Sequence, residues 1–224
     1  MVREILVVAS KDLRTELRTK ESINASLSFA LTVLLLFSFA FDPTAEQVRQ
    51  ISGGLLWLVF AFAGALVLNR SFARERDNDC LEALVASPLP AWALFLGKCL
   101  ANLVLLVAIE LVCLPVFGVF YNVNWARRPL PLLAVLVLAT WGMTVLGTTF
   151  SALTVNLRLR ELMLPVLLYP MIIPVLIAAI ELTTTLVAGE PLQAEQWVWV
   201  RLLVAFDIIF TSLAVAFAET VLIS

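Results

Sequence analysis

Residues 69–97 read NRSFARERDNDCLEALVASPLPAWALFLG, a long polar interruption between two hydrophobic blocks that carries its own helical pattern and leaves through a pair of prolines. Phe72-Ala73-Arg74-Glu75-Arg76 continues the block before it. Asn78 or Asp79 then supplies an N-cap for a short helix over Cys80–Ala86, whose acidic first turn suits the helix dipole. Ser87-Pro88-Leu89-Pro90 stops that helix, because proline lacks the amide donor and restricts its predecessor. The short helix presents Leu81, Leu84 and Val85. On the residues alone two readings stand: a helix that docks in a cleft of a partner outside the membrane, with the proline turn passing force onward, or a plain loop lying on the membrane surface.

Working outward, the flanks of this stretch are membrane. The 224-residue chain is 62% hydrophobic and 14% charged, with a mean hydropathy of +1.00, outside the composition of soluble domains. A net charge of −2 without a Lys/Arg cluster argues against a polyphosphate partner. Apolar windows long enough to cross ~30 Å of hydrocarbon fall near 24–41, 51–68, 92–120, 130–155, 162–187 and 200–224. Each is expected to be helical, since a lipid-exposed backbone must satisfy its amides within the segment. The fold class is therefore an all-α integral membrane protein with six transmembrane helices.

Ahead of the first span, residues 1–22 form an amphipathic segment. Val2, Ile5, Leu6, Ala9, Leu13 and Leu17 fall on one side and Arg3, Lys11, Arg14 and Arg18 mostly on the other, the pattern of an interfacial helix whose basic stems snorkel. No short apolar core with a small-residue cleavage site follows, so the first span is expected to persist in the mature protein.

Basic residues give the orientation. Arg3, Lys11, Arg14, Arg18, Lys20, Arg70, Arg74, Arg76, Lys98, Arg158 and Arg160 fall on one side, against Arg49, Arg127, Arg128 and Arg201 on the other. The positive-inside rule puts both termini in the cytoplasm. Trp92 then anchors the inner interface, and Trp125, Trp197 and Trp199 the outer one.

Catalytic machinery is not recognisable. The chain has no His and three Cys without a CxxC spacing, so neither a conventional zinc site nor an imidazole base is available. Gly97-Lys98 lacks the rest of a phosphate-binding loop, and there is no GxSxG. Ser52-Gly53-Gly54 opens a span and reads as helix packing. No enzymatic activity and no bound cofactor or metal is expected of this chain.

Inside the spans, Glu110 and Asp207 fall in the outer halves, where a carboxylate is costly unless it faces protein or water. A polar vestibule or subunit interface, or a packing role supported by hydroxyls or Arg201, are both open. Ala61 with Ala65 and Gly147 with Ser151 have the small-xxx-small spacing of close helix pairs. Pro165, Pro170 and Pro174 are expected to bend the fifth span, since each removes a backbone hydrogen bond, as a constraint on its shape rather than a gating hinge. The polar stretch 183–199 reads as an outer re-entrant or interfacial segment.

Taken together, Asp79–Leu84, Ser87-Pro88-Leu89-Pro90, Leu96-Gly97-Lys98 with Ala101-Asn102, Trp141–Thr148, Ser151–Val155 and Pro174–Ile177 resemble the haem exporter protein B (CcmB) family over nearly the whole chain. Asn78-Asp79-Cys80 departs from that family's acidic-glycine-small pattern, which bears on the shape of that turn. The resemblance implies a single ABC-2 type exporter domain over residues 1–224, serving as a permease subunit in cytochrome c maturation in the bacterial inner membrane.

It further implies two copies of this chain paired with two copies of a cytosolic ATPase. That ATPase holds ATP and Mg and receives a coupling segment at 69–91. Arg74, Glu75, Arg76, Asp79, Leu81, Glu82, Leu84, Val85, Ser87, Pro88 and Pro90 are the contact residues implied. A haem-handling membrane protein and a small single-span protein are the further partners, with haem as cargo of the complex or carried by a periplasmic chaperone that it releases. The alternatives are an ABC-2 permease for a lipid or polysaccharide, and a secondary transporter that needs no ATPase, for which an internal repeat is expected.

Overall fold

The computed structural model describes residues 2–41, 46–73, 89–155, 157 and 159–223. Its helices are α1 (Val2–Thr19), α2 (Glu21–Ala40), α3 (Glu46–Asn69), α4 (Ala91–Phe120), α5 (Pro129–Thr154), α6 (Arg160–Val187), α7 (Trp197–Ala216) and α8 (Ala218–Ile223), with a 3-10 turn at Trp125–Arg127. Helices α2 to α7 contain the six stretches long and apolar enough to span a membrane, and no strand occurs among the described residues. The spans alternate in direction. One end of the bundle therefore carries α1, Lys98 and the start of α6, and the other carries Trp125 and the α6–α7 turn.

The chain turns from α1 into α2 at Lys20, which takes a left-handed conformation (φ 55°). Glu16 makes that turn possible: its backbone carbonyl accepts from the Lys20 amide at 2.6 Å, and its Oε1 accepts from the Ser22 and Ile23 amides at 2.8 and 3.1 Å. The carboxylate thus caps the free first-turn donors of α2. Pro129 opens α5 at a position where its missing amide costs nothing.

Lipid gives helices no hydrophobic reason to associate, so close approach and buried polar contacts carry the packing. Helix α5 is central, packing on α3, α4, α6 and α7. Gly147 of α5 lies so close to Leu68 of α3 that a Cβ there would collide with it. Gly53 does the same for α3 against α6, where an added Cβ would meet Thr184 Oγ1 and lie 3.1 Å from the Ile180 carbonyl. Ala61, Ala65 and Ser151 are buried. Large residues point outward from the flanking helices, among them Leu36, Phe39, Val166, Ile173, Ile208 and Ile209, as expected of sides that meet acyl chains.

Several expectations change. The last apolar block, 200–224, is two elements: α7 starts earlier, at Trp197, and stops at Phe217, after which Ala218 seats on Phe95, Cys99, Val145 and Ala214. Small side chains on both sides of Phe217 let the chain fold back against α4 and α5. The 183–199 stretch forms no separate helix: 183–187 complete α6, residues 188–196 make a turn with Gly189 at φ 86°, and 197–199 begin α7. The apolar side of α1 is divided, with Val8 and Ala9 buried while Val2, Leu6 and Leu17 stay exposed. Pro165, Pro170 and Pro174 all lie inside α6, as the sequence predicts, and do not end it; continuity of the helix is compatible with the bend expected there.

Candidate functional site

The polar stretch that organises the sequence leaves described structure after Ala73 and rejoins it at Leu89. Arg74, Glu75, Arg76, Asp79, Leu81, Glu82, Leu84, Val85, Ser87 and Pro88 lie outside the described residues. Pro90 is described, as the extended residue (φ −65°, ψ 138°) from which α4 starts. The described structure therefore shows how the two ends of this segment are held.

Helix α3 frays after Asn69 into a turn over residues 70–72, and this turn is fixed on several sides. Asn69 Nδ2 donates to the Glu161 carbonyl at the start of α6 (3.3 Å). The Arg70 guanidinium pairs with Glu21 of α2 at 2.6 Å. Ser71 accepts twice from α4, through its carbonyl from Lys98 Nζ (2.7 Å) and through Oγ from Asn102 Nδ2 (2.9 Å). Phe72 is fully buried, with the Lys98 ammonium 4.6 Å from its ring centroid.

Lys98 is the centre of this cluster. Its side chain is 1% exposed, and its Nζ also lies 3.2 Å from Asp12 Oδ2 of α1. A buried ammonium requires such compensation, because desolvation otherwise exceeds what a single contact returns. Next to it, a Cβ on Gly97 would sit 2.6 Å from Val8 Cβ and 3.0 Å from the Ile5 carbonyl. Only glycine lets α1 lie this close to α4. Counting basic residues places Lys98 just beyond the loop, at the start of the third span; the structure adds that it is the buried link between α1, the α3 turn and α4.

From this cluster a polar seam continues between α4 and α5. Asn102 Nδ2 also donates to Thr148 Oγ1 at 3.0 Å. Further along α5, Thr144 donates to the Thr140 carbonyl (2.6 Å) and Thr140 Oγ1 to Glu110 Oε1 (2.6 Å). Thr140, Thr144 and Thr148 are all fully buried. Their spacing of four puts them on one face of α5, a pattern visible in the sequence but not singled out there.

Glu110 is 3% and Asp207 7% exposed. Each lies about ten residues, roughly 15 Å, from the Trp125 end of its helix. They do not face one another across a shared contact: Glu110 is held by Thr140, whereas Asp207 Oδ1 lies against Gly142, which an added Cβ would approach to 2.8 Å. Glu110 Oε2 and both Asp207 oxygens have no hydrogen-bond partner. Arg201 is exposed on α7 and pairs with neither.

At the other end of the bundle a cleft of about 920 Å³ opens between the end of α4, the 3-10 turn and the end of α6. Asn122, Asn124, Trp125, Arg127, Thr185 and Glu190 line it. Arg128 Nε donates to the Gly189 carbonyl at 3.1 Å, tying the 3-10 turn to the α6–α7 turn. Trp125 packs on Gly118 and Trp197 is half exposed, both at this end, with Trp92 at the opposite one.

Comparison with known proteins gives a consistent result. A family profile described as "CcmB protein" matches residues 3–224. The chain is 35% identical over 173 residues to Heme exporter protein B of Rhodobacter capsulatus, covering 77% of this chain and 79% of that one. To Heme exporter protein B of Paracoccus denitrificans it is 31% identical over 185 residues, 82% and 84% of the two chains. To that of Pseudomonas aeruginosa it is 30% identical over 199 residues, 89% and 88%.

Proposed function

This chain belongs to the CcmB protein family, and on that premise we propose that it is the permease subunit of an ABC transporter that serves cytochrome c maturation. It is a multi-pass membrane protein; in this reading it resides in the bacterial inner membrane with both termini in the cytoplasm. Two copies assemble with two copies of a cytosolic ATPase, which holds ATP and Mg and does the hydrolysis. Residues 74–88, with Arg74, Glu75, Arg76, Asp79, Leu81, Glu82, Leu84, Val85, Ser87 and Pro88, enter the ATPase, and Pro90 starts the helix that receives the load. The work drives haem export, or release of a haem-loaded periplasmic chaperone, alongside a haem-handling membrane protein and a small single-span protein.

What carries the reading is the extent of the likeness. It runs over residues 3–224, so the spans, the buried Lys98 cluster and the 74–88 segment are all included. The cluster adds a physical reason. A segment meant to deliver force needs fixed flanks, and Ser71, three residues before 74–88, is held by Lys98 of α4, the helix that follows Pro90.

The test is complementation of a bacterium lacking its own Heme exporter protein B. This chain is expected to restore covalent c-type cytochromes, read by haem staining of periplasmic protein, and Glu82→Lys is expected to abolish the restoration at an unchanged membrane level. A chain that accumulates normally without restoring cytochromes contradicts the reading.

A further inference from the structure

The cleft at the Trp125 end of the bundle has fixed walls and unspent polar side chains. The Val123 amide donates to the Gly118 carbonyl at 3.0 Å, with Asn122 in the left-handed region (φ 50°) making the reversal, and Arg128 holds the 3-10 turn to the Gly189 carbonyl. The Trp125 indole lies against Gly118, where an added Cβ would come within 2.6 Å of Cδ1 and 2.9 Å of Nε1. Asn122, Asn124, Trp125 and Glu190 give their side-chain polar atoms to no other described residue, and Arg127 makes only a long contact with the Ala188 carbonyl (3.5 Å). Among the described residues that line the cleft, Arg127 is the one cation and Glu190 the one anion. Towards the span the lining turns apolar at Pro115 and Val119, which lie one turn apart on the same side of α4, and Val119 is 78% exposed.

We propose that this cleft is a binding site for a phospholipid headgroup that carries a phosphate and a primary ammonium, that of phosphatidylethanolamine. Arg127 and the two asparagine amides supply donors for the phosphate, and the Glu190 carboxylate accepts from the ammonium. A single pair of opposite charges matches a zwitterion. A purely anionic headgroup would leave Glu190 facing a like charge, and a choline headgroup has no N–H for the carboxylate and finds one indole in place of an aromatic cage. The occupant is a lipid and not a soluble compound because the cleft joins two environments. Its charged rim is at the interface that Trp125 marks, and its apolar end at Pro115 and Val119 faces acyl chains, so the chains leave along α4 while the headgroup stays on the rim. At about 920 Å³ the space is within the roughly 300–1,000 Å³ of ligand sites. The site goes beyond the permease reading and needs no ATPase.

The experiment uses the full chain in vesicles of phosphatidylcholine that contain a trace of phosphatidylethanolamine with a diazirine in one acyl chain. After illumination, the crosslinked peptides are identified by mass spectrometry. Crosslinks are expected on residues 115–127 or 184–190. Unlabelled phosphatidylethanolamine is expected to displace them at a membrane fraction about tenfold lower than phosphatidylglycerol needs, the worth of one charge-assisted hydrogen bond. Glu190→Gln is expected to bring the two competitors within about twofold while crosslinking persists, which separates lost recognition from lost folding, and Arg127→Gln to cut crosslinking about tenfold. Crosslinks only elsewhere on the chain, equal displacement by both lipids in the native chain, or crosslinking and competition unchanged in both variants overturns the proposal. Displacement by free phosphoethanolamine as readily as by the lipid makes a soluble compound the ligand and overturns the lipid assignment.

Discussion

At the scale of single residues, the polar side chains inside the bundle divide into those with complete partners and those without. Lys98 has three kinds of compensation, whereas Glu110 has one hydroxyl and Asp207 only its packing on Gly142. Gln at position 110 keeps an oxygen that accepts the Thr140 hydroxyl. Glu110→Gln is therefore expected to preserve yield and cytochrome assembly within about twofold, whereas Glu110→Lys, which brings an ammonium with no carboxylate to meet it, is expected to cost about 2.5–3.5 kcal/mol and to collapse the yield of folded protein from detergent. Loss of cytochrome assembly by Glu110→Gln at normal yield would instead assign the carboxylate a role in the transport path. Sequence marks both acids as costly, because hydropathy alone reveals a charge in a span. It does not reveal Thr140, thirty residues away, or that Lys98, at the start of the third span, pairs with Asp12 of α1. Such partners are fixed by which helix faces meet, and no local pattern encodes that.

At the scale of elements, glycine separates close contact from mere tolerance. Gly53 and Gly54 are adjacent in α3, yet an added Cβ meets Thr184 and the Ile180 carbonyl at the first and nothing within 4 Å at the second. Gly53→Ala is expected to force α3 from α6 at a cost of about 1–3 kcal/mol. Gly54→Ala is expected to be neutral or to stabilise by up to about 1 kcal/mol through helix propensity. Thermal unfolding of the two variants in the same detergent checks this, and equal shifts would contradict the packing assigned to Gly53. The sequence shows that Ser52-Gly53-Gly54 belongs to packing, but not which glycine is in contact, since that depends on the azimuth of α3. The same limit explains α1. Its periodicity identifies an amphipathic helix, but hydrophobicity cannot distinguish the side pressed on Gly97 from the side left exposed.

At the scale of the whole molecule, the number and approximate bounds of the spans were legible because bilayer thickness fixes a length that composition satisfies six times. The break at Phe217 was not, since residues 218–223 are apolar apart from Glu219 and Thr220 and the turn is marked by the seat of Ala218 on Phe95 and Cys99. The orientation expected from the basic residues predicts opposite accessibility for the two ends of the bundle. In a Cys80→Ser background, an impermeant maleimide is expected to label Ala126→Cys from outside intact cells and to leave Leu159→Cys unlabelled until the membrane is opened. Cys99 and Cys113 are buried and add no background. The reverse pattern would place the Lys98 cluster on the side away from the cytosolic ATPase and remove the basis for coupling through 74–88.

The central claim is that a cytosolic ATPase engages residues 74–88 of a membrane subunit in which Lys98 of α4 holds the preceding α3 turn at Ser71. Affinity purification of the tagged chain in mild detergent, with ATPase activity measured and co-purifying subunits identified, tests it most directly. The account predicts recovery of a cytosolic ATPase together with haem-handling membrane protein, and release of the ATPase by Glu82→Lys. Recovery of a folded chain alone, with no ATPase, would contradict it.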